Sequence, residues 1–278
     1  MSFTTLVSAA ELRALATPPV LLDCGFDLAD PAAGEAQWRA GHLPGAHYAH
    51  LDRDLSGPKG DGRRGRHPLP ERAAFAATAG GWGVAPGIQV VTYDAQGGFY
   101  AARAWWMLRW LGHEAVAVLD GGRAAWLAAG GTLSTEAPAA AARPPYPLAE
   151  PSPMPLVDAA TLEALLGRVR VVDARSPERF RGEGETLDPV GGHIPGASNR
   201  FFRDNLQPDG RFKPAAQLRA EFDAWTTPAA DVVHSCGSGV TACHNLLAMA
   251  HAGLPGSRLY SGSWSEWCAD PARPVARG

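Results

Sequence analysis

Cysteine is scarce in this chain, and its four cysteines form no recognisable framework. Cys24, Cys236, Cys243 and Cys268 stand singly among 278 residues, without a C-x-x-C pair or a histidine at zinc-ligand spacing. This pattern excludes a disulfide-stapled scaffold and a zinc motif, so we predict no metal site. Cys24 lies in an apolar run and is expected in the core, and Cys243 is expected to pack within a helix. Cys268 has no predicted role.

Long apolar runs and clusters of one charge are also missing. No segment approaches the roughly 18 apolar residues of a membrane-spanning helix, and the first residues lack the basic and apolar regions of a signal peptide. Ser8 and Glu11 instead match a capping box at the start of a helix. Only 19% of the residues are charged and the formal net charge is -3, without a basic cluster. We therefore expect a cytoplasmic protein that binds neither membranes nor nucleic acids.

The chain contains an internal repeat, in which four sequence blocks occur twice in the same order. LLDC at 21–24 corresponds to VVDA at 171–174, GHLPGA at 41–46 to GHIPGA at 192–197, VVTYD at 90–94 to VVHSC at 232–236, and LDGG at 119–122 with Trp126 to YSGS at 260–263 with Trp267. The period is far too long for a solenoid, so the blocks indicate a duplicated domain.

Each copy alternates short apolar runs with helical stretches, which is typical of an α/β fold. We expect two tandem domains, each with a mainly parallel sheet flanked by helices. The predicted boundaries are 1–138 for the first domain and 154–278 for the second. Residues 139–153 between them are rich in proline and alanine and predict a surface linker. Function in such sheets concentrates beyond the carboxyl ends of the strands.

Cys236 lies at such a position. It directly follows the predicted strand 231–235 and opens the loop CGSGVTA at 236–242, after which a helix is predicted. Two glycines within three residues permit a tight loop that turns backbone N–H groups toward one point, and the start of a helix adds positive potential. Such surroundings favour a reactive thiolate. The plain alternative is a buried cysteine beside a structural turn.

The loop 236–242 resembles the active-site loop of the 3-mercaptopyruvate sulfurtransferases, in the rhodanese superfamily. The two GH(L/I)PGA blocks, GSWSEW at 262–267, and Trp105-Trp106 in the first copy resemble further markers of this superfamily, so the resemblance covers nearly the whole chain. It implies two tandem rhodanese-like domains and a Cys236 persulfide, without an organic cofactor. It also implies a small-molecule sulfur donor and, as acceptor, a thiol, a thioredoxin-like protein or cyanide. Its implied substrate-binding loop residues are Gly237, Gly239, Val240 and Thr241.

Further roles follow from the resemblance alone. Ser238 would join a histidine and an aspartate from the first copy in a proton-transferring triad, for which His42 and Asp30 are the candidates by motif. Arg179 matches an arginine that binds the donor carboxylate. Asp94 stands where the first copy would need a cysteine, which implies that this copy is inactive.

The identity of the donor stays open at this point. Neutral Gly237 and Ser238 stand where thiosulfate-preferring relatives carry basic residues, which favours 3-mercaptopyruvate. However, residues 183–190 lack the second substrate arginine of the mercaptopyruvate enzymes, and Arg175 or Arg181 are possible substitutes. Alternatives are a thiosulfate-preferring rhodanese, a sulfur-relay protein and a non-enzymatic persulfide sensor. A cysteine phosphatase is disfavoured, since Ala242 occupies the place of its phosphate-binding arginine.

Overall fold

The computed structural model describes residues 2–139 and 142–278, and the chain divides into two compact units. Unit 1 comprises Met1–Gly57, Pro70–Pro153 and Pro208–Phe212, and unit 2 comprises Pro58–Leu69, Met154–Gln207 and Lys213–Gly278. Pro58–Leu69 therefore packs with unit 2 although it precedes that unit in the sequence. Two residues of the predicted linker, 140 and 141, lie outside the described residues. Residues 142–153 belong to unit 1.

Unit 1 is built on a parallel sheet. Its described strands are β1 (Leu6–Val7), β2 (Val20–Asp23), β3 (His47–Tyr48), β4 (Val90–Tyr93) and β5 (Val116–Leu119). Its described helices are α1 (Ala9–Arg13), α2 (Ala33–Ala40), α3 (Arg72–Gly81), α4 (Ala101–Leu111) and α5 (Gly122–Ala128). The strand order is β1-β5-β4-β2-β3, and every pairing is parallel.

The interior strands β4 and β5 of unit 1 are largely apolar, because both of their faces are covered. All residues of β4 and β5 are buried, as expected for strands in the middle of a parallel sheet. The predicted capping box at the start of α1 is confirmed: Ser8 accepts a hydrogen bond from the Glu11 N–H, and the Glu11 carboxylate accepts one from the Ser8 N–H.

Unit 2 repeats this architecture. Its described strands are β6 (Arg170–Asp173), β7 (Ser198–Asn199), β8 (Val232–Ser235) and β9 (Arg258–Leu259). Its described helices are α6 (Ala159–Leu165), α7 (Pro177–Arg181), α8 (Ala215–Asp223), α9 (Ala242–His251) and α10 (Ser263–Trp267), with 3₁₀ turns at Phe202–Asn205 and Ala229–Asp231. The strand order is β7-β6-β8-β9, again with parallel pairings.

The order β7-β6-β8-β9 matches β3-β2-β4-β5 in unit 1, so the sequence repeat is also a structural repeat. The predicted α/β fold with two mainly parallel sheets is confirmed. Trp264 and Trp267 of α10 are fully buried in the unit 2 core, together with Tyr260. The core thus holds α10 against the sheet, beside the carboxyl end of β8.

Candidate active site

Cys236 follows the last residue of β8, the central strand between β6 and β9. Its N–H donates to the hydroxyl of Ser263 at 3.0 Å, and its carbonyl accepts from the Trp264 N–H at 3.0 Å. The Gly237 carbonyl accepts from the Ser265 N–H at 2.9 Å. The start of α10 therefore fixes the first two residues of the loop, and Cys236 itself is 2% exposed.

The loop folds back over the sulfur. The Gly239 N–H donates to Cys236 Sγ at 3.1 Å, and α9 begins at Ala242, six residues after the cysteine. Gly239 has a φ of +75°, and a Cβ there would collide with the Ser261 carbonyl oxygen, so only glycine fits. Backbone N–H groups and a helix start near a sulfur stabilise negative charge on it. The loop thus suits a thiolate or a persulfide anion.

Ser238 points at a histidine of the segment Pro58–Leu69. Its Oγ lies 2.7 Å from Nδ1 of His67, within hydrogen-bonding distance, and both side chains are buried. The segment is held against α10, because the Arg66 N–H donates to the Ser265 hydroxyl at 3.0 Å. Gly65, with a φ of +83°, lies so close to Gly262 that a side chain would not fit. A hydroxyl and an imidazole in contact beside a sulfur nucleophile can transfer protons.

Two guanidinium groups lie over Gly237. A Cβ built on this glycine would lie 3.2 Å from Nη2 of Arg66 and 3.4 Å from Nη1 of Arg179. Two buried carboxylates hold these arginines: Asp188 contacts Arg66 Nη1 at 2.7 Å and Arg179 Nη2 at 3.2 Å, and Glu185 contacts Arg179 Nε at 3.1 Å and Nη2 at 2.9 Å. The site therefore contains a compact network of cations and anions over the residue that follows Cys236.

The two carboxylates differ in their electrostatics. Burial raises the pKa of Asp188, and this effect outweighs the opposing effect of Arg66. Burial also acts on Glu185, but hydrogen bonds from the Leu187 N–H and the charge of Arg179 outweigh it, so the pKa of Glu185 is lowered. Glu185 is thus firmly anionic, whereas the negative charge on Asp188 is less strongly stabilised.

The two arginines named as substitutes for the missing one have other partners. Arg175 is buried and donates to the Asp173 carboxylate at 2.7 Å and to the Gly192 carbonyl at 2.7 Å, while its Nη1 lies 3.8 Å from Glu185 and has no hydrogen-bond partner among the described residues. Burial opposes its charge, but Asp173 and the neighbouring anions raise the pKa of Arg175. Arg181 is solvent-exposed and donates to Glu183 at 2.8 Å. Neither guanidinium is among the atoms nearest to Gly237.

The structure brings together most of the predicted site residues. Cys236, Gly237, Ser238, Gly239 and Arg179 form the site described above. Val240 and Thr241 are also predicted members of the loop; both are buried and lead into α9.

The histidine in contact with Ser238 is His67, and not His42 as predicted by motif. Both ring nitrogens of His42 face main-chain carbonyls, Nδ1 that of Trp38 at 2.7 Å and Nε2 that of Glu136 at 3.0 Å, and the ring stacks on Trp38. These contacts give His42 a structural role within unit 1. Asp30 is exposed and its carboxylate accepts from the Ala32 N–H at 3.1 Å, which is a local turn contact.

The sequence patterns do not single out His67. It lies in an irregular stretch without strand or helix periodicity, which has no equivalent among the repeated blocks. The available signal is its neighbourhood: the second copy has a similar loop, Gly210-Arg211-Phe212-Lys213, and His67 in Gly65-Arg66-His67-Pro68 stands where that loop has Phe212.

The other three cysteines do not share these surroundings. Burial raises the pKa of the Cys24 thiol well above its ordinary value and raises that of Cys268 to about 11. The Cys243 thiol donates to the Gly239 carbonyl at 3.4 Å and is fully buried in α9, as predicted for a packing residue. Among the described residues, no group of three histidine, cysteine or acidic side chains is arranged to hold a metal ion.

In unit 1, Asp94 follows β4 as Cys236 follows β8. Its carboxylate accepts four backbone hydrogen bonds, from the N–H groups of Gln96, Gly98, Tyr100 and Ala101 at 2.8–2.9 Å. The Asp94 carboxylate thus occupies the equivalent loop of unit 1. This observation shows that the loop geometry of the repeat suits negative charge, and that the first copy has no sulfur nucleophile at this position.

Comparison with protein-family models shows the family to which the chain belongs. The model of the rhodanese-like domain matches twice, at residues 8–129 and 158–270. The chain belongs to the rhodanese family. The predicted tandem rhodanese architecture is thereby confirmed.

Full-length relatives in this family are sulfurtransferases. A Pseudomonas aeruginosa protein named "Probable 3-mercaptopyruvate sulfurtransferase" is 50% identical over 285 residues, covering 100% of both chains. The thiosulfate sulfurtransferase of Cricetulus griseus is 34% identical, over 93% of this chain and 88% of its own. The structure of the 3-mercaptopyruvate sulfurtransferase from Leishmania major has a TM-score of 0.84 and 29% identity, over 96% of this chain and 74% of that one.

These findings confirm the prediction that this rhodanese is a sulfurtransferase. Within the part of the chain that the structure describes, no helix has the length and apolar character needed to cross a membrane.

Proposed function

We propose that this rhodanese transfers sulfur from 3-mercaptopyruvate through a persulfide on Cys236. The observation that carries the proposal is the loop around the sulfur, in which the Gly239 N–H donates to Cys236 Sγ at 3.1 Å. This geometry supports a nucleophilic thiolate, and it also suits the anionic terminal sulfur of a persulfide.

In the first half-reaction, the Cys236 thiolate attacks the sulfur of the donor thiol. An S–S bond forms and the C–S bond breaks, and its electron pair remains on carbon as the enolate of pyruvate. The proton of the donor thiol leaves the new persulfide and is taken up by the enolate carbon, which yields pyruvate. Ser238 and His67, in contact at 2.7 Å, are our candidates for this proton transfer.

The loop composition supports 3-mercaptopyruvate as the donor. Gly237 and Ser238 are neutral, and Arg179 presents Nη1 over Gly237, where it can donate a charge-assisted hydrogen bond to a carboxylate. The relative from Pseudomonas aeruginosa bears the name of this activity. Thiosulfate is the second candidate, favoured by the rodent relative. With thiosulfate, sulfite would leave as a stable anion, and the proton transfer would be unnecessary.

In the second half-reaction, an acceptor removes the outer sulfur and regenerates the thiolate. We propose a thiol, a thioredoxin-like protein or cyanide as acceptor. The cytoplasmic location of the protein stays a prediction.

Intact-protein mass spectrometry tests the proposal. After incubation with 3-mercaptopyruvate, the protein should gain the mass of one sulfur atom and lose it on addition of cyanide. The Cys236→Ser variant should gain none, whereas Cys268→Ser, with its buried thiol, should behave as the unmodified protein. Sulfur uptake by Cys236→Ser, or uptake only from thiosulfate, would overturn the proposed nucleophile or the proposed donor respectively.

A further inference from the structure

Arg66 lies on the same glycine as Arg179. Atoms of these two guanidinium groups are the three that a Cβ on Gly237 would meet first, at 3.2 Å for Arg66 and at 3.4 and 3.6 Å for Arg179. The Cα of Gly237 lies about 3.8 Å from that of Cys236, as for any trans peptide. The two cations therefore lie over the residue that follows Cys236.

The contacts of Arg66 leave part of its donor set without a partner. Asp188 engages Nη1, and the same atom donates to the Leu187 carbonyl at 3.3 Å. Nε is buried and has no hydrogen-bond partner among the described residues. Nη2 is the atom closest to the Gly237 position. A buried guanidinium N–H without an acceptor is unfavourable. An oxygen ligand that accepted hydrogen bonds from Nε or Nη2 of Arg66 would therefore be stabilised.

Asp188 and Glu185 fix the positions of Arg66 and Arg179. Asp188 contacts both arginines, at 2.7 Å and 3.2 Å, and Glu185 contacts Arg179 along its Nε–Nη2 edge. Both acids are buried. They bind Arg66 through Nη1 and Arg179 through Nε and Nη2, so the two arginines present Nη2 and Nη1 respectively to Gly237.

We propose that Arg66 is the second donor-binding cation of this enzyme, and that Arg66 and Arg179 together bind the carboxylate of a short thiol acid. The inference rests on the proposed function and specifies how its substrate is selected. A carboxylate at Gly237 lies one residue from Cys236, which suits a donor whose sulfur and carboxylate are separated by two carbon atoms. Arg66 thus replaces, from the segment Pro58–Leu69, the arginine that residues 183–190 lack.

Steady-state kinetics of Arg66→Met test this role. Charge-assisted hydrogen bonds contribute about 1.5–3 kcal/mol, so we expect the KM for 3-mercaptopyruvate to rise about 10- to 100-fold, with kcat changed less than about threefold. Arg66→Lys keeps the charge without the fork geometry and should give an intermediate KM. Arg63→Met, an exposed arginine in the same segment, is the matched control and should leave the KM unchanged.

A binding measurement provides an independent readout. Pyruvate and its neutral amide are titrated by calorimetry into the Cys236→Ser protein, with and without Arg66→Met. We expect Arg66→Met to weaken pyruvate binding at least tenfold and to leave the amide unaffected. Equal weakening of both ligands, or a KM for Arg66→Met equal to that of Arg63→Met, would overturn the role of Arg66. Thermal unfolding of each variant identifies a loss of binding that is caused by misfolding. If Arg66→Met is misfolded, the KM of Arg66→Lys is used to test the role of Arg66 instead.

The test of Arg66 and the test of the proposed function can fail independently. If the unmodified protein acquires no sulfur from 3-mercaptopyruvate, the proposed donor reaction is wrong. If it acquires sulfur, and Arg66→Met does so with an unchanged dependence on donor concentration, only the inference about Arg66 is wrong.

Discussion

Ser238 Oγ and Nδ1 of His67 lie 2.7 Å apart, although 171 positions separate the two residues in the sequence. The contact forms because Pro58–Leu69 packs with unit 2 and is fixed to α10 through the Ser265 hydroxyl. Both side chains are buried next to the loop of Cys236. A buried hydroxyl–imidazole pair can hold and move one proton without direct exchange with bulk solvent.

Ser238 and His67 should affect the reaction with 3-mercaptopyruvate and not the reaction with thiosulfate. With 3-mercaptopyruvate the leaving enolate must gain a proton, so Ser238→Ala and His67→Asn should each lower kcat by about 10²-fold or more, the usual range for general acid–base catalysis. With thiosulfate the leaving sulfite needs no proton at this step, and kcat should change less than about threefold. The measurement is pre-steady-state persulfide formation with each donor. Equal losses with both donors would show that the pair only shapes the loop.

The contrast between Cys236 and His67 shows which parts of such a site can be predicted from sequence. Cys236 can be proposed from sequence because the features that suit a thiolate are local: a strand, two glycines and a helix start lie within a few residues of it. His67 is not, because its role depends on a contact between distant segments. No local periodicity reports the packing of an irregular loop.

The motif containing His42 misleads for a physical reason. Its symmetric counterpart, His193, also has Nδ1 near a main-chain carbonyl, that of Phe180 at 2.8 Å, and stacks on the Phe180 ring as His42 stacks on Trp38. A motif that recurs in both copies supports the shared fold. The proposed chemistry depends on a side chain that differs between the copies: Cys236 in unit 2 stands where unit 1 has Asp94.

The arrangement of the parallel sheets followed from the alternation of apolar runs and helices, since each run is long enough for one buried strand.

The two glycines of the loop should respond differently to alanine. Gly239 has a φ of +75° and its Cβ would collide with the Ser261 carbonyl oxygen, so Gly239→Ala should lower the free energy of unfolding by about 2 kcal/mol or more. Gly237→Ala would bring a Cβ to 3.2 Å from Arg66 Nη2 and 3.4 Å from Arg179 Nη1, both of which are side-chain ends, and should mainly raise the donor KM. Urea denaturation and donor titration of both variants test this. Equal stability of the two variants would contradict it.

Asp94 should be a stability determinant of unit 1. Its buried carboxylate accepts four backbone hydrogen bonds, and Asp94→Ala leaves these N–H groups without their acceptor. We expect the free energy of unfolding to fall by about 3 kcal/mol or more. Asp27→Ala is the matched control, since among the described residues that exposed carboxylate accepts only from the Ala29 N–H, within a turn. A loss for Asp94→Ala no larger than for Asp27→Ala, in urea denaturation followed by circular dichroism, would exclude the role.

His234 should make the protein sensitive to mild acid. Burial in β8 lowers its pKa from the ordinary 6.5 to about 3, Nε2 contacts Met249 Sδ, and Nδ1 has no hydrogen-bond partner among the described residues. The folded state therefore keeps this imidazole neutral, whereas the unfolded state protonates it below about pH 6.5. Stability from this group is complete above pH 6.5 and declines as the pH falls toward 3, by about 1.4 kcal/mol per pH unit.

The His234→Leu variant isolates this effect, because it places an apolar side chain at the buried position and removes the titrating ring. Between pH 7.5 and 5, the unfolding free energy of the unmodified protein should fall by about 2 kcal/mol more than that of His234→Leu, from the linkage of a single proton. Chemical denaturation at several pH values above 5, where most carboxylates remain ionised in both states, gives the comparison. Parallel pH profiles for the unmodified protein and His234→Leu would mean that the buried imidazole is already protonated, or is solvated, in the folded state.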